Sequence, residues 1–244
     1  MNILAINGSP KGKRSNTWRL TSAFLEGIAA REENVYGEAP TIETLIINAL
    51  DIKPCLGCFS CWSKTPGKCC IHDDMRAVIE KILWADVIIW SFPLYYFGLP
   101  GQLKNLIDRQ LPMSLPFMSV ETESGGHPSR YDMSGKIFVV VSTCGYAQTD
   151  LIYDPMLAQY DCICGKGNYY PLLCPQGKLL SVPELWDRME KFIEKYAEAG
   201  SELIETGKIS DETIAHLSEA PFDEHRFKLL LNLFWHNEES ITNV

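Results

Sequence analysis

The 244-residue sequence has no excess of positive charge and no long hydrophobic run. Lys and Arg total 22 against 31 Asp and Glu, and the net charge of −9 argues against a surface that binds nucleic acid or an anionic membrane. Its longest apolar runs have the length of a strand and are far too short to span a membrane. No charged leader precedes a long apolar stretch at the N-terminus. Because 46% of the residues are hydrophobic, we expect a cytosolic globular protein with a substantial core.

Internal repeats, low-complexity tracts and Ser/Gly linkers are also absent, so nothing marks a domain boundary. Instead, short apolar runs alternate with segments of helical pattern. The runs predict strands at 2–7, 41–47, 87–91, 136–143 and near 169–174. Helices are predicted at about 17–30, 72–84, 101–109, 150–163 and 183–206, with two more after residue 208, the last at 224–236.

Five nearly continuous apolar strands separated by helices predict an α/β fold with a doubly wound parallel sheet, in the order 2-1-3-4-5. We expect residues 1–207 to form this domain. Residues 208–244 are then a C-terminal helical extension of the same domain. Two irregular segments fall within the first part, a cysteine loop at 53–71 and a long insert at 110–135.

The loop between the first strand and the first helix has the composition of an anion site. It lacks the Gly-x-Gly-x-x-Gly fingerprint and the Walker spacing, because only three residues separate Gly8 from Gly12. A helix N-terminus nevertheless offers unpaired N–H groups and the positive end of the helix dipole. Polar and basic side chains surround it, namely Ser9, Lys11, Lys13, Arg14, Ser15, Asn16 and Thr17. These features favour a monophosphate, and a solvated surface turn is the alternative.

An aromatic segment, residues 92–100, follows the third strand. A glycine turn, Thr143–Tyr146, follows the fourth strand. Pro93 and Gly98 would keep the backbone of the aromatic segment extended and close to a ligand. The aromatic rings of the segment would offer the ligand an apolar wall. Ligands of doubly wound sheets bind outside the carboxyl ends of the strands, at the switch between strands one and three. A flat heterocycle with one terminal phosphate fits these loops, and FMN is the candidate. The alternative is that the rings complete the core or a subunit interface.

The spacing Cys55-x2-Cys58-x2-Cys61-x7-Cys69 is the most informative cysteine pattern. Three cysteines at intervals of three can converge on one face of a [4Fe–4S] cluster, and a fourth completes the ligand set. Cys70 leaves the identity of the fourth ligand open. Zinc and reduced thiols packed around Trp62 are the alternatives. The other four cysteines lack ligand spacing and are predicted to be core residues, namely Cys144, Cys162, Cys164 and Cys174.

These segments resemble the flavodoxin-like NADPH-dependent FMN reductase family, especially the branch similar to iron–sulfur flavoproteins. The resemblance covers roughly residues 1–180 and rests on three motifs that occur in order. They are Gly8–Lys11 with Ser15–Thr17, Pro93–Gly98 with Lys104 and Asp108, and Cys55–Trp62 with Cys69 and Asp73–Met75. The cysteine spacing looks like the compact motif of iron–sulfur flavoproteins. The resemblance implies a flavodoxin-like fold that binds FMN.

The resemblance also implies which residues hold the cofactors. The FMN phosphate would lie on Ser9, Lys11, Ser15, Asn16 and Thr17. The ring would lie against Pro93, Leu94, Tyr95, Tyr96, Phe97 and Gly98, and against the turn of Thr143, Cys144, Gly145 and Tyr146. A cluster, where one is present, would be held by Cys55, Cys58, Cys61 and Cys69. No acid/base pair stands out, so we expect no catalytic side chain.

Two further segments carry weaker expectations. His127, with Arg130 and Tyr131, lies in the 110–135 insert, where Gly125-Gly126 could act as a hinge for a lid over the flavin or an arm to a second subunit. A solvated loop is the alternative. The last helix is too apolar over Phe227–Trp235 to be solvated all round, which favours packing on the domain or a homo-oligomer.

The leading functional hypothesis is an FMN-dependent NAD(P)H oxidoreductase that passes hydride from the nicotinamide to FMN and on to a small acceptor. A quinone, a flavin, an azo compound or a nitro compound would serve as that acceptor. The alternative is an iron–sulfur flavoprotein that carries electrons between protein partners. A third hypothesis is a non-catalytic sensor of a nucleotide phosphate.

Overall fold

A computed structural model of the protein describes residues 1–37, 39–118 and 126–242, with side chains at all of these except 32–36 and 237–242. Five parallel strands form one sheet in the order β2-β1-β3-β4-β5. The strands are β1 Asn2–Asn7, β2 Thr41–Ile46, β3 Val87–Pro93, β4 Ile137–Thr143 and β5 Tyr170–Cys174. The doubly wound fold and its strand order, predicted from the apolar runs, are confirmed.

Eight α-helices lie in the described part of the chain. They are α1 Asn16–Tyr36, α2 Ser60–Ser63, α3 Met75–Trp84, α4 Gly101–Asp108, α5 Asp154–Cys164, α6 Trp186–Thr206, α7 Asp211–Leu217 and α8 Glu224–Thr242. Most predicted boundaries agree to within a few residues. The largest differences are in α1, which continues to Tyr36, and in α8, which continues to Thr242. Helix α5 begins at Asp154 rather than near residue 150, because Pro155 suits only the first turn of a helix.

Helices cover both faces of the sheet and divide the core into two layers. Buried side chains of α1 and α6 pack on one face, and those of α3, α4 and α5 pack on the other. The α1 and α6 backbones touch, because a Cβ added at Gly200 would lie 2.1 Å from the Phe24 carbonyl oxygen. Strands β1 and β3 are buried on both sides, which explains their nearly continuous apolar sequences, whereas half of the residues of the edge strand β2 are exposed.

The C-terminal helices pack on the first layer. Leu217, Phe222 and Phe227 are buried members of the same hydrophobic cluster as the sheet. Other apolar side chains of α8 are exposed, including Leu229, Leu233 and Trp235. The structure tests neither the predicted boundary between the domain and its C-terminal extension at residue 207 nor the predicted homo-oligomer. Both stay predictions. Within the described residues, no helix has the length and apolarity needed to cross a membrane.

One cysteine prediction is wrong. Cys144 and Cys174 are buried and Cys164 is half-buried, but Cys162 is exposed on the last turn of α5. Residues two apart on a helix point in directions about 200° apart, so Cys162 and Cys164 cannot both face the core.

Candidate cofactor site

The phosphate-loop prediction falls on a tight turn at the carboxyl end of β1. Ser9 and Ser15 are almost completely buried, and the Trp18 N–H donates to Ser15 Oγ at 3.0 Å, so Ser15 caps α1. Lys11 is exposed, and among the described residues it pairs with no carboxylate. The loop thus combines a capped helix N-terminus with an unpaired cation, which is the arrangement that an anion needs.

Two predicted phosphate contacts already have partners within the protein. The Asn16 amide donates to the Gly177 carbonyl at 2.7 Å and to Ser181 Oγ at 2.8 Å. The Thr17 and Thr143 hydroxyls are 2.6 Å apart and buried. Asn16 and Thr17 therefore tie α1 to the loop after β5 and to the end of β4, and their direct contact with a phosphate stays a prediction.

Asn7, at the end of β1, is a residue that the sequence reasoning did not identify. Its Oδ1 accepts a hydrogen bond from the Ser9 N–H at 3.0 Å, which holds the start of the turn. Its Nδ2 is fully buried and has no partner within the described protein. An unused buried donor beneath the loop is costly unless a bound group accepts its hydrogen. The only sequence signal was a polar residue ending an apolar strand.

The aromatic segment forms a two-residue hairpin rather than the extended backbone that we predicted. The Tyr95 and Gly98 backbones exchange two hydrogen bonds of 3.0 Å, and the intervening Tyr96 and Phe97 have φ of 50° and 66°. Such turns normally use Asn or Gly, because other residues are strained at positive φ. Tyr96 is 99% exposed, so these rings do not complete the core. Contact of these rings with a flavin, or with a second subunit, stays a prediction.

The turn after β4 lies beside this hairpin. The Leu94 N–H donates to the Thr143 carbonyl at 2.8 Å, and the Phe97 and Tyr146 ring centroids are 5.7 Å apart. Burial raises the pKa of the Cys144 thiol, which therefore stays protonated and packs as an apolar group. The loops after β1, β3 and β4 thus meet at one edge of the sheet, as the topology predicts.

Gln176, in the loop after β5, is a second residue that the sequence reasoning missed. It is 1% exposed, and its N–H donates to the Tyr146 carbonyl at 2.9 Å. Its side chain donates to the Ala147 and Phe222 carbonyls and accepts from the Phe222 N–H. It therefore fixes the 143–146 turn from beneath and joins it to the C-terminal segment. Its partner lies 46 residues away, so no local pattern could have revealed this role.

The cysteine segment encloses a small cavity. Five cysteines line it, namely Cys55, Cys58, Cys61, Cys69 and Cys70. The Cys58 and Cys70 sulfurs are 3.6 Å apart. Hydrogen bonding to Ser60 lowers the pKa of Cys58 to about 7, whereas burial, followed by repulsion from Cys69, raises the pKa of Cys61. No three His, Cys, Asp or Glu side chains of the described residues converge at metal-binding distance. The donor set suits a thiolate-bound group, but the cavity of about 20 Å³ would have to open to admit one.

A buried ion pair supports this cavity. Arg109 donates two hydrogen bonds to Asp73, of 2.7 and 2.8 Å, and a third to the Lys53 carbonyl. Although burial raises it, the pKa of Asp73 is lowered overall by Arg109 and by the Lys53 and Met75 N–H groups. Burial lowers the pKa of the Arg109 guanidinium, but Asp73 and Cys69 raise it more. The pair is therefore fully ionised and joins α4 to the base of the cysteine segment.

The described part of the insert lies against the cysteine segment. The His127 ring packs against Trp62 with centroids 4.7 Å apart and ring planes tilted by 47°. The Arg130 Nε–H donates to the Pro112 carbonyl. A Cβ on Gly67 would lie 3.1 Å from the Arg130 side chain and 3.6 Å from the Tyr131 hydroxyl. Residues 119–125, which include the first glycine of the predicted hinge, lie outside the described residues. The lid over the flavin stays a prediction.

Comparison with known proteins finds two kinds of flavoprotein that are similar to this chain. The chain is 39% identical over 119 residues to an iron–sulfur flavoprotein of Methanocaldococcus jannaschii. The aligned residues cover 48% of this chain and 55% of that protein. It is 30% identical over 155 residues to the FMN-dependent NADH:quinone oxidoreductase 2 of Pseudomonas syringae pv. tomato. That alignment covers 60% of this chain and 69% of that protein. The chain spans about half the length of the iron–sulfur flavoproteins that it matches.

Among solved structures, an FMN-dependent NADH-azoreductase from Bacillus anthracis, crystallised with FMN, superposes with a TM-score of 0.59. The superposition covers 83% of this chain and 98% of that one at 19% identity, so it shows the fold alone. Residues 1–155 match the Flavodoxin_2 family, whose description is a flavodoxin-like fold. Because this match spans well over half of the 244 residues, the chain belongs to that family.

Proposed function

We propose that this protein is an FMN-dependent NAD(P)H oxidoreductase that reduces a small organic acceptor such as a quinone or an azo compound. The supporting observation is the meeting of three loops at the switch between β1 and β3, with a strained and exposed aromatic hairpin beside a capped helix N-terminus. The names of the quinone oxidoreductase and azoreductase relatives fit the same reaction class.

The chain's own residues would bind and orient the cofactor. The α1 N-terminus and Ser9 would hold the phosphate, and the Asn7 amide offers one further buried donor near that end. Phe97 and Tyr146 would lie against the ring and exclude water from one side of it. When bound, FMN supplies the chemistry, which is hydride transfer from NAD(P)H to the flavin and on to the acceptor.

The decisive experiment compares FMN with riboflavin, which lacks the phosphate. The purified chain is titrated with each flavin, and binding is followed by quenching of flavin fluorescence. Ser9→Ala should weaken FMN binding about tenfold or more, since hydrogen bonds to charged groups contribute about 1.5–3 kcal/mol, and should leave riboflavin binding unchanged. Ser63→Ala, which changes a serine in the cysteine segment, is the matched control.

Reduction is tested on the same samples. NADH or NADPH should bleach the flavin absorbance, and a quinone should restore it. A colourless protein that takes up no FMN would refute the proposal. If the protein binds FMN but neither NADH nor NADPH reduces it, the oxidoreductase is excluded. The non-catalytic sensor of a nucleotide phosphate is then the hypothesis that remains.

The cysteine cavity favours a second candidate, an iron–sulfur flavoprotein that carries electrons. Five thiols on one small cavity are an unusual concentration, and several relatives bear the name iron–sulfur flavoprotein. Cys55, Cys58, Cys61 and Cys69 would hold a [4Fe–4S] cluster, which supplies one-electron transfer when bound. Anaerobic reconstitution followed by iron and sulfide assays tests it, and protein that binds no iron under those conditions excludes the carrier.

A further inference from the structure

Two exposed cysteines that line the cysteine cavity are in direct contact. All nine cysteines lie in the described part of the chain, and Cys58 and Cys70 are the pair whose sulfurs are in hydrogen-bonding contact, 3.6 Å apart. Both side chains are open to solvent. A disulfide bond is about 2.05 Å long, so the two sulfurs would have to approach by only about 1.5 Å. The fold therefore holds two accessible thiols close to bonding distance.

The backbone around this pair can follow such a movement. Cys58 lies in an irregular segment directly after Gly57, which has a φ of 62° and no atom within 4 Å of the position of an added Cβ. Cys70 also lies outside the helices and strands. A bond between the neighbours Cys69 and Cys70 is disfavoured, because consecutive Cα atoms are about 3.8 Å apart and disulfides usually span about 4.4–6.8 Å. Cys58 is therefore the partner that the geometry favours for Cys70.

The same cavity fits a metal group poorly. Its volume of about 20 Å³ leaves room for about one water molecule. Within the described residues, no three His, Cys, Asp or Glu side chains converge at metal-binding distance. A bond between two sulfurs that already touch needs neither an added group nor a larger cavity. In this respect the cavity disagrees with the carrier function and fits a pair of thiols.

We propose that Cys58 and Cys70 form a dithiol pair that exchanges with a low-molecular-weight disulfide such as glutathione disulfide. The substrate approaches from the solvent, because the cavity behind the thiols is too small to hold it. This reaction goes beyond the reduction of a small acceptor by the flavin and does not depend on it.

The exchange takes two steps. One protein thiol, as its thiolate, attacks a sulfur of the substrate, so a mixed disulfide forms and one glutathione leaves. The other protein thiol then attacks the protein sulfur of the mixed disulfide, and the second glutathione leaves. The Cys58–Cys70 bond has formed, both thiol protons end on the two glutathione molecules, and the two electrons have reduced the substrate disulfide. Excess glutathione runs both steps in reverse.

The test uses the purified full chain without added iron. The chain is reduced, freed of reductant in the absence of oxygen, treated with glutathione disulfide and then alkylated. Peptide mass spectrometry locates the disulfides, because trypsin cuts after Lys64 and Lys68 and so separates the peptides of Cys58 and Cys70. The wild type should give these two peptides joined and lighter by two hydrogen atoms, and excess glutathione should separate them again.

Serine variants identify the two sulfurs. Cys58→Ser and Cys70→Ser should each lose the joined peptides, and the remaining thiol should keep one glutathione, because the thiol that would displace it is gone. Cys162→Ser is the matched control, since it removes an exposed thiol of α5 that lies outside the cysteine cavity, and it should keep the joined peptides. Far-ultraviolet circular dichroism reports whether each variant is folded.

Three outcomes would overturn the pair. The first is joined peptides that persist in either serine variant. The second is a wild-type chain that gives no joined peptides although Cys162 takes up glutathione. The third is iron in the purified chain that blocks the reaction of both thiols, which would support the carrier function instead. None of these results bears on FMN binding or on flavin reduction, so this inference and the oxidoreductase proposal can fail separately.

Discussion

Single residues in the aromatic hairpin combine features that stability alone would not select. Tyr96 is bulky, wholly exposed and strained at φ 50°. A left-handed conformation costs a non-glycine residue about 1–2 kcal/mol, and an exposed ring returns little of that through packing. If a flavin lies on this hairpin, as proposed, the strain is the cost of presenting a ring to it.

Replacing Tyr96 with glycine should consequently separate stability from binding. Relief of strain, reduced by the extra entropy of a glycine in the unfolded chain, should raise the free energy of unfolding by about 0.5–1 kcal/mol. FMN affinity should fall at the same time. Urea denaturation of the apoprotein and flavin titration measure the two effects.

Leu151 provides the control for that substitution. It is 78% exposed with φ 64°, and it lies outside the aromatic hairpin. Leu151→Gly should gain similar stability without weakening FMN binding. Equal FMN affinity in wild type and Tyr96→Gly would remove the ligand-facing role of this ring.

The reactivity of Cys58 should depend on pH in a way that other thiols do not share. Because hydrogen bonding to Ser60 lowers its pKa from 9.0 to about 7, half of Cys58 in the apoprotein should be thiolate near pH 7. Its alkylation by iodoacetamide should rise as the pH passes through 7 and level off above 8, as followed by peptide mass spectrometry. Ser60→Ala should move this midpoint upward, and a midpoint that stays near 9 in the wild type would contradict the hydrogen bond.

At the scale of the elements, the close contact of α1 and α6 fixes one layer of the fold. Gly200 lies where a Cβ would come within 2.1 Å of the Phe24 carbonyl oxygen, a backbone atom that cannot turn away. Gly200→Ala should therefore lower the free energy of unfolding by about 2–3 kcal/mol, although alanine favours a helix over glycine. Urea denaturation measures the loss, and Glu198→Ala, on the exposed face of α6, should change stability by less than about 0.5 kcal/mol.

The elements were predictable because their signals are local. A buried parallel strand must be apolar throughout, so β1 and β3 stand out in the sequence, and topology then orders them. The loops of the candidate site follow from that order. The conformation of the 95–98 hairpin did not follow, because two aromatics at positive φ contradict the usual turn chemistry.

The supporting residues were not predictable, for a different reason. Gln176 and Arg109 act through partners 46 and 36 residues away, and each looks in sequence like an ordinary loop or helix-end residue. Cys162 was assigned to the core because cysteine is usually buried, but the helix phase turns it outward. Long-range pairing and helix phase are properties of the folded chain, so spacing alone does not reveal them.

For the molecule as a whole, the question is whether residues 208–242 form part of the same cooperative unit as the sheet. Phe222 lies in the core cluster, and its backbone makes hydrogen bonds to Gln176, which in turn holds the Tyr146 turn. A ligand site supported in this way cannot be independent of the C-terminal segment. The two should unfold together and lose FMN together.

Phe222→Ala tests this coupling. Loss of a buried aromatic should lower the free energy of unfolding by about 3–5 kcal/mol in a single transition, with far-ultraviolet circular dichroism and bound-flavin absorbance giving the same midpoint. Phe117→Ala, which truncates an exposed ring of the same type, should leave both signals unchanged. Two separate transitions, with the flavin retained through the first, would mean that the extension is an independent unit. Coincident transitions would instead mean that the C-terminal segment unfolds together with the sheet, in agreement with the packing of Leu217, Phe222 and Phe227 in the same hydrophobic cluster.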